Sequence, residues 1–434
     1  MTRSTEPDPT GGPNGNGSGG RGDVDHDADS RRAAEREHES GGAVDVGASV
    51  GRRFADALSA TTVLTTVLAV VAALVVGAII LALASEEVRS AMGYFFAQPG
   101  DTLVALRENV WDVYVALVRG AVGGPNQLSE TATAATPLIL TGLAVAVPLR
   151  AGLFNIGGEG QFLAGGLCAG YVGFAVTGLP LVVHLPLAIL AGILGGGLWG
   201  WIPGILKART GAHEVITTIM LNNIAILGLE YMLSLDAVQP IGRDDPISRS
   251  MLDSATLPRL AGSARRVNAG IILALAAAVV LWWLLERSTR GFELTAVGLN
   301  ADAARAAGMS VATTVTIAML VGGIAAGMGG AAQVLGVDGR ISAGLGGGRG
   351  FDGITVALLG RGSVGGTVAA GFLFGALEAG GRLMQAQTGT SLDLVSVIQA
   401  LIVLFIAAPA LTQAIFRIQP GAVTGTEIAS GWGQ

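Results

Sequence analysis

Apolar runs near the ~20-residue length that spans a bilayer recur along this chain, separated by polar segments. They lie at about 60–84, 131–149, 162–179, 185–205, 214–233, 268–286, 311–335, 364–384 and 392–415, with a shorter piece at 351–360. The pattern predicts an all-α polytopic membrane bundle of about ten transmembrane segments. A membrane β-barrel would need ~10-residue alternating strands in series, and none appear. Between the first two runs, residues 85–130 mix polar and apolar positions, and Asp101 to Arg119 reads as an amphipathic helix. Gly192, Gly196, Gly200 and Gly204 repeat every four residues and mark a helix face that a second helix can approach closely.

The ends read differently. Residues 1–52 are rich in Gly, Pro, Asp, Glu and Arg and are predicted to be a disordered acidic cytoplasmic tail, with no apolar core of a signal peptide. Residues 53–418 form the membrane domain in this reading, and 419–434 a cytoplasmic C-terminal tail. Arg52 and Arg53, Lys207 with Arg209, Arg287 with Arg290, Arg361 and Arg417 fall on the inner side of a ten-span topology, as the positive-inside rule expects. Arg243, Arg249, Arg259, Arg265 and Arg266, in the polar segment 234–266 that is long enough to cap the outer face, run against it.

Half the residues are apolar, 13% are charged and mean hydropathy is +0.59, all consistent with a membrane protein. The net charge of −6 belongs mostly to the tail, where residues 1–50 carry ten acids against five arginines. The remainder is close to neutral and offers no basic footprint for nucleic acid. Cys168 is the only cysteine, which excludes an internal disulfide and multi-cysteine metal sites.

Enzyme signatures fail one by one. The only lysine, Lys207, sits in Leu206-Lys207-Ala208, so there is no phosphate-cradling P-loop. His213-Glu214 opens like a zinc-protease helix, but the second histidine position is Thr217. Gly47-Ala-Ser-Val-Gly51 has the letters of a nucleophile elbow without a strand–turn–helix context. His26 and His38 share that tail, and His184 stands alone between Pro180 and Pro186. No catalytic residue, metal site or cofactor is expected.

Two glycine-rich polar inserts carry the chemistry. Arg150-Ala-Gly-Leu-Phe-Asn-Ile-Gly-Gly-Glu-Gly-Gln161 reads either as a tight cytoplasmic turn or as a broken, re-entrant segment whose polar groups line a pathway. Gly348-Arg-Gly-Phe-Asp-Gly-Ile-Thr355 is the second, with Asp352 after Phe351 as Asn155 follows Phe154. Each follows the first span of a four-span half, 131–233 and 311–415, which is the layout of an inverted repeat with paired broken helices. Asn222 and Asn223 lie within an apolar run, either as interhelical glue or as pathway lining. Within the cytoplasmic segment 291–309, Asn300 can cap a short helix at 301–307 and Gly308 can end it, forming a connector or a docking knob.

Five ordered stretches resemble the permease subunits of bacterial ABC importers of the branched-chain amino acid and simple-sugar group, above all the nucleoside-type permeases. They are Ala135-Thr-Pro-Leu-Ile-Leu-Thr-Gly-Leu143, Gly152-Leu-Phe-Asn-Ile-Gly-Gly-Glu-Gly-Gln161, Glu214-Val-Ile-Thr-Thr-Ile-Met-Leu-Asn222, Ala296-Val-Gly-Leu-Asn300 with Ala303, Ala304 and Gly308, and Gly350-Phe-Asp-Gly-Ile-Thr-Val-Ala-Leu-Leu-Gly360. The resemblance implies a multi-pass subunit of a bacterial plasma membrane that moves a nucleoside or related small polar solute inward. Its implied partners are separate ABC ATPase subunits, a second permease of the same or a paralogous chain, an extracytoplasmic substrate-binding lipoprotein and membrane lipid. It implies that Gly298, Asn300, Ala303, Ala304 and Gly308 form the element that couples to the ATPase. Thr295 stands where such permeases often carry Arg, with Arg290 or Arg305 as substitutes. Asn155, Glu159, Gln161, Asn222, Asn223, Phe351 and Asp352 are the expected pathway residues. The rival readings are an ATP-independent transporter or channel with Glu159, Glu214 or Asp352 as proton or cation sites, and a structural membrane anchor.

Overall fold

A computed structural model describes residues 60–408 apart from 241 and 244, with the side chains of 60–66 and 407 excepted. The two predicted tails, the Gly47–Gly51 motif, His26, His38, Arg417 and residues 409–415 of the last expected span lie outside the described residues. The chain divides into two units, Met1–Leu64 and Thr65–Gln434, and the helical bundle belongs to the second.

The helices are α1 (Ala60–Ala84), α2 (Glu86–Gly93), α3 (Pro99–Leu106), α4 (Asp112–Val122), α5 (Pro125–Arg150), α6 (Gly158–Ala175), α7 (Leu181–Thr210) and α8 (Glu214–Leu233). After an irregular segment come α9 (Gly270–Arg287), α10 (Thr289–Leu299), α11 (Ala301–Ala306), α12 (Val311–Gln333), α13 (Arg349–Leu359), α14 (Val364–Thr388) and α15 (Asp393–Ala407). Short π-helical turns join α3 to α4 at 107–111 and extend α12 over 334–338. Among the described residues, β structure is limited to two isolated bridges. The protein is thus all-α, and among the described residues seven helices are long and apolar enough to cross a membrane.

Helix starts follow local chemistry. Pro125 opens α5 where a missing N–H costs nothing. The hydroxyls of Ser85, Ser288, Ser310 and Ser363 accept from the first turns of α2, α10, α12 and α14. The Ser288 cap starts a helix over the first part of the cytoplasmic segment, to which the sequence reading assigned a helix only at 301–307. The boundary at 162 also moves: Gly158–Gln161, read as part of the polar insert, form the first turn of α6 because their polar groups find partners inside the protein.

α5 is buried at the centre along nearly all its length and α12 over its second half. α7 packs along α12 through its glycine stripe, where Gly196 and Gly200 lie against Gly323 and Gly327. In the mirror arrangement, α14 packs along α5, with Gly371 against Ile139 and Gly375 against Ala135. α6 likewise meets α12 as α13 meets α5. α5 ends and α12 begins at the same end of the bundle, here termed the base. There Gly298 rests on Arg150 and Thr316 Oγ1 reaches Gly204 O at 3.4 Å. The halves α5–α8 and α12–α15 therefore repeat with inverted direction.

At the opposite end, the top, the 234–269 segment is stapled down. Ser248 N donates to Ile341 O, Leu252 N to Gly173 O and Leu257 N to Leu335 O, each at 2.8–3.0 Å. His184 is fully buried there, its Nδ1 2.8 Å from Ser254 Oγ and its Nε2 3.0 Å from Val172 O, so Nε2 carries the proton. The segment caps the ends of α6 and α12.

Candidate functional site

The first break begins where α5 stops. Leu153 N donates back to Pro148 O, and Gly152 adopts φ 71°, a left-handed turn that sends the chain back into the bundle. Residues 153–157 then run non-helically inward until α6 starts. The Asn155 amide donates to Ala144 O at 3.0 Å, six residues before the end of α5 and so ~9 Å inside it. Backbone left unpaired at that depth is costly, and the side chains of the insert pair it. Asn155 Oδ1 accepts from Gly157 N at 3.0 Å, and the Asn155 and Gln161 amides bond reciprocally at 3.0 and 3.1 Å. From α8, Asn222 Oδ1 accepts from Gly160 N at 2.9 Å while its amide donates to Ile156 O at 2.9 Å. Asn155, Gln161 and Asn222 are buried with both ends of each amide engaged.

The second break lies 339–348, before α13. Gly347 and Gly348 have φ 55° and 82°, outside the range of ordinary side chains, and turn the chain into a helix heading for the base. The starts of α6 and α13 touch: the Gly350 Cα sits against the backbone of Gly158 and Glu159, where no Cβ would fit. Glu159 bridges them. Its buried carboxylate accepts from Gly350 N at 2.7 Å and Gly348 N at 3.2 Å, while it belongs itself to the first turn of α6. Two helix N-termini, each worth about half a positive charge, thus share one carboxylate.

The remaining expected pathway residues face outward. Phe351 is 44% exposed and Asp352 half-buried on the first turn of α13. Asn223 is exposed on α8, and its amide bonds only its own helix at Ile219 O, 3.0 Å away. The seven residues therefore divide: Asn155, Glu159, Gln161 and Asn222 come together at the joint, Phe351 and Asp352 sit at its edge, and Asn223 lies apart.

At the base, Gly298 on α10 rests on the backbone of Arg150, Ala151 and Gly152, so the expected coupling segment touches the foot of the first break. Asn300 Oδ1 caps α11, accepting from Asp302 N and Ala303 N at 3.0 and 2.9 Å. Ala304 is buried, Ala303 exposed, and Gly308 ends the segment at φ 84°. Leu299 between the helices is 81% exposed. Arg290 pairs with Glu293 at 2.7 Å and Arg305 with Asp302 at 2.6 Å, so both proposed substitutes for the missing arginine hold acids of their own helices.

Sequence reasoning missed two base clamps, Arg150 to Glu286 at 2.9 Å and to Gly362 O at 3.2 Å, and Lys207 to Glu214 at 2.6 Å. It also missed Arg349, Glu378 and Arg382; an acid and an arginine four apart inside an apolar run, Glu378 and Arg382, was the available signal.

Residues 127–407 match the family described as branched-chain amino acid transport system, permease component. The chain is 44% identical over 302 residues to the guanosine ABC transporter permease protein NupP of Bacillus subtilis, covering 68% of this chain and 85% of that one. It is 40% identical over 316 residues to the glucose ABC transporter permease protein TsgB13 of Haloferax volcanii, covering 71% and 83%. To the nucleoside ABC transporter permease protein NupB of Lactococcus lactis it is 36% identical over 306 residues, covering 69% and 83%. No solved structure matches the chain. An inverted repeat of membrane-length helices, broken at two facing inserts and matched along most of its described length, thus makes this chain a multi-pass plasma-membrane protein that belongs to the branched-chain amino acid transport system permease family.

Proposed function

We propose that this chain is the membrane subunit of an ATP-binding-cassette uptake transporter that carries a nucleoside, or a related small sugar-like solute, into the cytoplasm. The observation that carries the reading is 44% identity across 85% of a guanosine ABC permease. ATP is hydrolysed on separate ATPase subunits that engage Gly298, Asn300, Ala303, Ala304 and Gly308 from the cytoplasm. A second permease, identical or paralogous, completes the pathway, and an extracytoplasmic lipoprotein delivers the solute to the top. The membrane domain is 53–418, flanked by an acidic cytoplasmic tail at 1–52 and a second tail at 419–434.

Phe351 and Asp352 meet the solute in this reading, Asn223 faces the pathway from α8, and Asn155, Glu159, Gln161 and Asn222 shape its wall from behind. The contact of Gly298 with the foot of the first break supports a mechanical route: a push on α10 reaches residues 150–152, then the joint at Glu159, then α13. Switching access requires two packings with different contacts to the ATPase and to the loaded lipoprotein.

Uptake of labelled guanosine by cells with and without the partner ATPase tests this. Loss of uptake without the ATPase is expected. Uptake that persists and follows a proton or sodium gradient overturns it.

A further inference from the structure

A line of alternating charges descends from the top to the joint. Arg266 of the capping segment pairs with Glu130 of α5 at 3.3 Å, and Glu130 with Arg382 of α14 at 3.3 Å. Arg382 pairs with Glu378 one turn deeper at 2.6 Å, and Glu378 lies 4.0 Å from Arg349 at the head of α13. Asp352 follows, three residues from Arg349 in the first turn of α13. Around Arg382 and Glu130 the surface opens into a cleft of about 360 Å³, lined also by Asn126, Gln127 and Arg265. That volume is within the ~300–1,000 Å³ of small-molecule sites.

These side chains are not sealed. Glu378 and Arg382 are 33% and 38% exposed and Arg349 is 23% exposed, although its Nε is buried and has no partner. Glu378 lies ten residues before the end of α14, so ~15 Å inside it. Accessible charges at that depth do not face hydrocarbon. They face water or protein, and the open cleft at the top, which Glu130, Arg265 and Arg382 line together with alanines and Leu383, favours water.

We infer that this ladder is the outer half of the solute path and that it selects uncharged, hydrogen-bonding solutes; the inference rests on the importer reading above. Three arginines alternate with three carboxylates, so the line carries no net charge. A neutral polyhydroxylated ring finds a donor or an acceptor at each step and no deep well. An anion would be held at each arginine and repelled by the next carboxylate, and a cation the reverse. Passage needs binding weak enough to leave. Phe351 at the foot offers an exposed ring face to a planar base.

The test uses cells carrying the whole transporter with Cys168→Ala, which leaves no native cysteine in this chain. Glu378→Cys, Arg382→Cys and, as an exposed loop reference, Ser263→Cys are treated from outside with a charged, membrane-impermeant methanethiosulfonate, and labelling is read on chains that co-purify with the ATPase. Positions 378 and 382 are expected to label within about tenfold of position 263, and more slowly when guanosine is supplied. Labelling that guanosine does not slow, in cells whose guanosine uptake requires the ATPase, overturns the ladder as the solute path and leaves the importer reading standing. Labelling more than about a hundredfold slower, in assembled complexes, marks a protein interface or lipid face and overturns the inference. As a second readout, Glu378→Gln should lower uptake of a neutral nucleoside about tenfold with assembly intact, and adding Arg382→Gln should restore part of it. Unchanged uptake in Glu378→Gln counts against the ladder.

Discussion

Replacing Glu159 with Gln isolates the joint between the broken helices. The carboxylate accepts two backbone N–H groups at the start of α13, from Gly348 just before it and Gly350 within it, the latter at 2.7 Å, within the range of charge-assisted bonds. The amide keeps one acceptor oxygen and turns an NH2 toward a second donor, so one charge-assisted bond is lost, about 1.5–3 kcal/mol. Two helix N-termini also lose their shared counter-charge, which adds up to about 2 kcal/mol in a partly buried geometry. Easier burial of a neutral side chain offsets some of this, leaving roughly 2–4 kcal/mol. Thermal unfolding of the purified chain in detergent should show a clear drop in midpoint for Glu159→Gln. Glu159→Asp, one methylene too short to hold both groups, should fall between. Uptake should fall further than stability, because α13 loses its fixed start. An unchanged midpoint together with unchanged uptake would refute the idea that the carboxylate anchors both helices.

Other substitutions probe neighbouring contacts. Gly350→Ala forces a Cβ into the backbone of Gly158 and Glu159 and should destabilise by more than the ~1–3 kcal/mol of ordinary overpacking, while Gly344→Ala, with open space around it, should melt like the parent. Gly298→Ala pushes α10 off Arg150; guanosine uptake should fall while binding of the lipoprotein is kept, and equal loss of both would count against a coupling role. Gly196→Ala sets a Cβ against Gly327 and Gly323 and should lower the melting midpoint more than Gly228→Ala on the open side of α8. Lys207→Met leaves the Glu214 carboxylate without its cation at the base, and a Lys207→Met/Glu214→Gln double variant should recover stability lost by the single one.

Much of this arrangement is legible in the sequence because its signals are local. The lengths of the runs gave the long helices, the every-fourth glycines of α7 gave the face that meets α12, and Asn300 and Gly308 marked the ends of α11. The breaks were visible as glycine beside polar residues. What those polar residues do was not, because their partners are remote: Glu159 answers Gly350, and Asn222 answers Gly160. The same distance hid the ladder, since Glu130 and Arg382 meet only when α14 lies along α5. The first turn of α6 was misread as insert because polarity alone does not reveal that a helix is capped from another helix.

The shared carboxylate also has a consequence for biosynthesis. Glu159 enters the membrane long before its acceptors exist, since Gly348 and Gly350 follow 189 and 191 residues later. The pairing of α5 with α14 comes later still and that of α7 with α12 somewhat earlier, but both wait for the second half, so the first half cannot bury its faces when it leaves the ribosome. A nascent chain halted near residue 300 carries a carboxylate and a glycine seam with nothing to cover them. Such a fragment should be held by insertion factors or degraded, and quality control of this protein is then set by completion of its second half.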